Sequence, residues 1–103
     1  MQSIKIGSKF FDICSNDAIG WEDNYILVDF NLFSTFLNGG TALDIGANVG
    51  LASILFAQVS EKVFAFEPSL NSFRNLSINI QSSKYSNVHL YRFGLGRKKK
   101  IKF

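Results

Sequence analysis

The spacing of apolar residues along this 103-residue chain changes period several times. Ile4 and Ile6, then Phe10, Phe11 and Ile13, form two short extended runs around Gly7-Ser8. That pattern predicts a β-hairpin, with Gly7 supplying a positive φ. Residues 15–21 are polar, carry Gly20 and read as a loop. From Asp23 or Asn24 the period becomes helical: Tyr25, Val28, Leu32 and Phe36 fall on one stripe, widened by Phe33 and Leu37. Asp23 or Asn24 can cap the first turn, and Asn38-Gly39-Gly40 supplies a left-handed stop. This leading helix is expected to cover one face of a sheet, and its position would also let it close over a ligand.

A second pattern occupies residues 41–68. Ala42, Leu43 and Ile45 make a short apolar run interrupted by Asp44, followed by the turn Gly46-Ala47-Asn48-Val49-Gly50. The next segment, from Gly50 or Leu51 to about Val59, is apolar on nearly all sides and predicts a helix buried against a sheet. A strand over residues 62–66 ends on Glu67, with Pro68 behind it. Residues 69–82 predict another helix, with Phe73, Leu76 and Ile80 on one face and Asn and Ser on the other. In residues 87–93, Val88 and Leu90 alternate with His89 and Tyr91, giving a third core strand. Alternating strands and helices imply right-handed crossovers and a parallel sheet. Three strands make half of a doubly wound sheet, leaving the third with an open edge and a route to self-association. Lys100-Ile101-Lys102-Phe103 reads as the start of another strand with no turn or cap behind it. The chain is therefore expected to be a fragment, or a reduced version, of a larger domain.

Composition narrows the class. With 47% hydrophobic and 18% charged residues, the chain has the balance of an ordered soluble domain. Its longest apolar run is far below the roughly 18–20 residues of a membrane span, and its first residues lack the order of a secretory signal. The single cysteine, Cys14, cannot form an internal disulfide, which suits a reducing, cytoplasmic setting, and it reads as a packed thiol. His89 is the sole histidine and has no partner at ligand spacing, so no metal site is expected. Of the eleven basic residues, Arg97, Lys98, Lys99, Lys100 and Lys102 crowd the last seven positions. The other 96 positions hold six basic and eight acidic residues, so a face-wide nucleic-acid footprint is not expected. The basic tail reads as a solvated turn or charged edge strand, with a nucleic-acid contact as the alternative.

The strand–turn–helix–strand stretch places carboxylates at two successive strand ends, the edge where nucleoside ligands sit in open parallel sheets. A P-loop would need Lys and Ser or Thr after its last glycine, but Leu51-Ala52 follow Gly50. A dinucleotide fingerprint from Gly46 would need glycines where Asn48 and Leu51 stand. S-adenosylmethionine fits better: it lacks phosphate and carries a sulfonium and an ammonium, which an acid at Asp44 suits. Amides opening the helix at Gly50 can face its carboxylate, and Glu67 is placed to accept both ribose hydroxyls. The bland alternative is a glycine turn that is only a turn.

Asp44-Ile45-Gly46-Ala47-Asn48-Val49-Gly50, then Ala65-Phe66-Glu67-Pro68, then Phe73, Leu76 and Asn79, resemble the FkbM family of S-adenosylmethionine-dependent methyltransferases. The resemblance covers roughly residues 40–103, with a looser fit before them. It implies a partial Rossmann-like class I methyltransferase fold of α/β class, with three parallel strands and crossover helices behind a hairpin and a leading helix. Residues 1–21 would be the hairpin and loop, and residues 22–103 the partial domain. By the resemblance, Asp44, Gly46, Asn48 and Gly50 line the methionine side, Ala47 is among the donor-binding residues, and Glu67 holds the ribose. Pro68 and Ser69 shape the adjoining turn, and Gly94 and Leu95 lie near the adenine. The family acts mainly on oxygens of sugars and related small molecules, so such an acceptor is expected. The family's later acidic motif has no match here, so no catalytic residue is assigned. A non-catalytic fragment or interaction module, and part of a nucleic-acid methyltransferase, are the competing functions.

Overall fold

A computed structural model describes residues 2–16 and 39–93. The leading helix expected from residue 23 or 24 onward lies outside the described residues, as do Gly94, Leu95 and the basic tail. Strands β1 (Gln2–Ile6) and β2 (Lys9–Ile13) pair antiparallel, with Ile4 opposite Phe11 and Ile6 opposite Lys9. Gly7, at φ 65°, provides the positive dihedral of the two-residue turn. Ile6 and Ile13 on the inner face are buried, whereas Phe10 points outward.

The main sheet has three strands, β3 (Thr41–Ile45), β4 (Lys62–Phe66) and β5 (Val88–Tyr91), in the order β3-β4-β5. Both pairings are parallel, with Asp44 beside Ala65 and Phe66 beside Tyr91. Helix α1 (Leu51–Ala57) joins β3 to β4, and helix α2 (Leu70–Ser83) joins β4 to β5. The third strand begins at Val88, one residue later than expected. The Asn87 carbonyl already accepts the Val63 amide of β4 at 2.9 Å, while its side-chain amide donates to the carbonyls of Ala57 and Ser60 at 3.0 Å each. Helix α1 stops at Ala57, short of Val59, because its last turn tightens: the amides of Gln58 and Val59 reach back three residues, to Leu55 and Phe56.

The core forms where both helices and the hairpin meet one face of the sheet. Ile6, Ile13, Leu51, Ile54, Leu55, Ala65, Leu76 and Ile80 belong to one buried cluster, and Ala42, Ala57 and Val63 to another. Fully burying a branched aliphatic side chain is worth about 1.5–3 kcal/mol, so this packing fixes how the strand ends meet the helices. The side chain of Gln58 ties the hairpin to α1 by donating to the Ile6 carbonyl at 2.8 Å. The opposite sheet face carries Leu43, Ile45, Phe64, Phe66, His89 and Tyr91. Phe64 stacks on His89, and Phe66 on Tyr91, each pair with ring centroids 5.2 Å apart. Leu43 and Ile45 on that face remain exposed. Among the described residues, no helix is long and apolar enough to cross a membrane.

Candidate functional site

The site grows from the carboxyl ends of β3 and β4. Leaving β3, the chain reverses through positive φ at Gly46 (74°), Asn48 (54°) and Gly50 (102°). Asparagine is among the few side chains that tolerate this region. The neighbouring strand end pins the reversal. The amides of Gly46 and Ala47 both donate to the Phe66 carbonyl, at 2.9 and 3.0 Å, and the Gly50 amide donates to the Ala47 carbonyl at 3.0 Å. A side chain at Gly50 would place its Cβ 2.8 Å from Leu76 Cδ1, so a larger residue there must displace that buried side chain as well as hold an unfavourable dihedral.

Glu67 follows β4 directly and is buried. Its Oε1 accepts the Asn48 amide at 2.7 Å, and its Oε2 accepts the Ser69 amide at 2.9 Å. The carboxylate thus joins the glycine turn to the start of α2, where the Ser69 hydroxyl caps the helix by accepting the Ser72 amide at 3.5 Å. A carboxylate offers about four acceptor positions, and among the described residues two of them are taken. Asp44 is also buried, and its Oδ2 accepts the Ser53 hydroxyl at 2.5 Å. Burial pushes its carboxyl pKa upward; the Ser53 hydrogen bond opposes this, and the nearby Glu67 charge adds to it.

Asp44, Gly46, Ala47, Asn48, Gly50, Glu67, Pro68 and Ser69 therefore meet at one sheet edge. Gly46, Asn48, Pro68 and Ser69 are exposed on its rim, while Asp44, Gly50 and Glu67 are buried beneath. Cys14 is partly buried, its thiol against Asn75 Oδ1 at 3.2 Å. His89 is an exposed residue on the aromatic face, away from the helices. Sequence reasoning missed Ser53, although it is the one hydroxyl in the apolar run of α1 and sits three residues after Gly50. Asn79 belongs to the site as well: its side-chain amide donates to the Val49 carbonyl at 2.7 Å.

No protein-family model matches the chain, and no curated protein matches its sequence. Solved structures do resemble it. An rRNA methylase from Streptococcus thermophilus aligns at TM-score 0.60 and 20% identity, over 67% of this chain and 42% of that one. TYW2 of M. jannaschii, in complex with AdoMet, aligns at TM-score 0.65 and 20% identity, over 85% and 41%. The fold is that of the Rossmann-like methyltransferases. SMU.1697c of Streptococcus mutans, in complex with SAH, aligns at TM-score 0.59 and 19% identity, over 65% and 39%. The aligned part spans about two fifths of each neighbour, so the chain carries this fold in part.

Proposed function

We propose that this chain is the donor-binding part of an S-adenosylmethionine-dependent methyltransferase. The observation that carries the reading is the pair of buried carboxylates, Asp44 and Glu67, at adjacent strand ends around a left-handed turn. In this reading Glu67 accepts the ribose hydroxyls with its free lone pairs, held in place by the Asn48 and Ser69 amides. Asp44 faces the cationic methionine end, and Gly46, Ala47, Asn48 and Gly50 form the wall beside it. Pro68 and Ser69 border the ribose, and Gly94 and Leu95 complete the adenine side. In this reading residues 22–103 belong to the donor domain and residues 1–21 to the hairpin and loop that precede it. The likeness to neighbours in complex with AdoMet or SAH supports this assignment.

The donor supplies an electrophilic methyl on sulfonium: its S–C bond breaks as a C–O bond forms, leaving S-adenosylhomocysteine while the acceptor proton passes to a base. The residues named here bind and orient the donor, so their share of the rate is positioning. For the acceptor, we propose an oxygen of a sugar or other small molecule, as in the FkbM type, which the Asp44–Gly50 turn and Phe66-Glu67-Pro68 favour. RNA is the second reading, favoured by the likeness to an rRNA methylase. Labelled-methyl transfer from S-adenosylmethionine to RNA, compared with sugar acceptors, separates the two.

Calorimetric titration of S-adenosylmethionine into the chain and into Glu67→Ala tests the donor site. Losing a charged hydrogen-bonding partner costs roughly 1.5–3 kcal/mol, or about ten- to 150-fold in affinity. Equal affinity in the two proteins, both folded by circular dichroism, would sink the assignment of Glu67.

A further inference from the structure

We infer that Asn79 is a positioning residue for the donor site: it fixes the Val49–Gly50 peptide plane and couples the β1–β2 hairpin to the glycine turn. The inference rests on the reading of that turn as an S-adenosylmethionine site.

Asn79 lies on the sheet side of α2 and is 1% exposed, flanked on the same helix by the buried Leu76 and Ile80. A primary amide in such a place costs free energy unless it is matched, and a helix that needed only packing would carry an apolar residue there. Here the amide is matched on both sides. Its Nδ2 donates to the Val49 carbonyl at 2.7 Å and to the Cys14 carbonyl at 2.9 Å, and its Oδ1 accepts the Cys14 amide at 2.7 Å.

The Val49 contact falls where the turn is under most conformational demand. Asn48 and Gly50 on either side of Val49 both hold positive φ. The peptide plane that joins Val49 to Gly50 is held at both ends, by Asn79 on the carbonyl and by the Ala47 carbonyl on the Gly50 amide. One residue earlier, the Asn48 amide is held by Glu67, the proposed ribose ligand. Rotation of the Val49–Gly50 plane would therefore disturb Asn48 and, through it, the Glu67 carboxylate.

The other end of the amide reaches the exit of β2. Cys14 is bound through its amide and its carbonyl by Asn79, and through its thiol by Asn75, one helical turn earlier. Asn75 also donates to Asn16 Oδ1 at 3.3 Å. An asparagine pair on α2 thus links a segment about 30 residues before the turn to the turn itself, and Asn79 alone touches both.

The test is S-adenosylmethionine affinity set against fold stability in the full chain. Asn79→Ala is compared with Ile80→Val, a neighbouring core substitution that makes no contact through hydrogen bonds with the turn. At a temperature where each is folded by circular dichroism, Asn79→Ala is expected to weaken binding at least about tenfold. Ile80→Val should change it less than about threefold, although both lower the melting temperature. Wild-type binding with Asn79→Ala within twofold of it overturns the positioning role, as does an equal loss in both variants. A folded wild type that does not bind S-adenosylmethionine overturns the donor site itself, and is told apart by needing no variant. If Asn79→Ala does not fold, hydrogen exchange of the Asn79 side-chain amide in wild type decides. Added S-adenosylmethionine should slow it, and an unchanged rate refutes the coupling.

Discussion

Gly46 and Gly50 stand four residues apart in one turn, and a methyl group added to each should have different consequences. At Gly46, φ is 74°, and among the described residues beyond its chain neighbours no heavy atom lies within 4 Å of the position a Cβ would take. Gly46→Ala therefore meets only the backbone penalty of the left-handed region, about 1–2 kcal/mol. Part of that, about 0.4–1 kcal/mol, returns through the stiffer unfolded chain. The net cost is about 0.5–1.5 kcal/mol. At Gly50, φ is 102°, beyond the small left-handed well open to other residues. The new Cβ would also lie 2.8 Å from Leu76 Cδ1. Leu76 is fully buried in the cluster with Ile54, Leu55 and Ile80, so its methyl cannot swing away without displacing neighbours. Overpacking adds about 1–3 kcal/mol, making the total for Gly50→Ala about 2–4 kcal/mol. For a domain of this size 1 kcal/mol moves the melting temperature by about 4–8 °C. Thermal and urea unfolding of both variants should place Gly50→Ala at least about 5 °C below Gly46→Ala, with m-values unchanged. Equal destabilisation would mean that Leu76 yields freely and that close packing does not set the turn.

Asp44→Asn should move stability and binding in opposite directions. Burial first, and then the Glu67 charge, raise the Asp44 pKa above its ordinary 3.8, against the Ser53 hydrogen bond. A carboxyl whose pKa rises on folding favours the folded state while protonated; this contribution is lost as pH climbs from about 3.8 through the folded value. The variant should therefore melt higher than wild type at pH 7, with the gap closing in acid, while S-adenosylmethionine binding weakens; a lower melting temperature at pH 7 would contradict this. Lys84, which ends α2 at φ 66°, should accept glycine with a gain of up to about 1 kcal/mol and no change in binding, measured by urea unfolding and calorimetry.

Much of the sheet was legible because punctuation surrounds each strand. Gly39-Gly40 and Gly46 bracket β3, and Glu67-Pro68 closes β4, so both strands fall where the pattern places them. Gly7-Ser8 marks the hairpin equally well. Where local pattern and long-range contact compete, the sequence is less informative. Asn75 and Asn79 read as part of the polar face of α2, yet both are buried, because their partners arrive from Cys14, Asn16 and Val49. Gln58 and Val59 extend the apolar and helical pattern of α1, and only the tightened turn at Phe56 ends it. Phe64 and Phe66 alternate correctly along β4, but alternation does not reveal that their rings stack with His89 and Tyr91 on the face away from the helices.

The energetic asymmetry of the two acids gives the donor reading its physical force. Glu67 receives two backbone amides, and hydrogen bonds to a charged group are the stronger kind, about 1.5–3 kcal/mol each. Asp44 receives the Ser53 hydroxyl, sits near a like charge, and has its ionisation opposed by burial. A turn that served only the fold would gain from an uncharged residue at position 44, since an amide could keep the Ser53 contact without the charge. Retaining a destabilising carboxylate is the usual cost of a binding site. In the donor reading, the charge that such a ligand should carry follows from the sign of that cost. A pyrophosphate would add a third negative centre beside Asp44 and Glu67. In the proposed donor reading, a sulfonium and an ammonium would instead offset the repulsion between them.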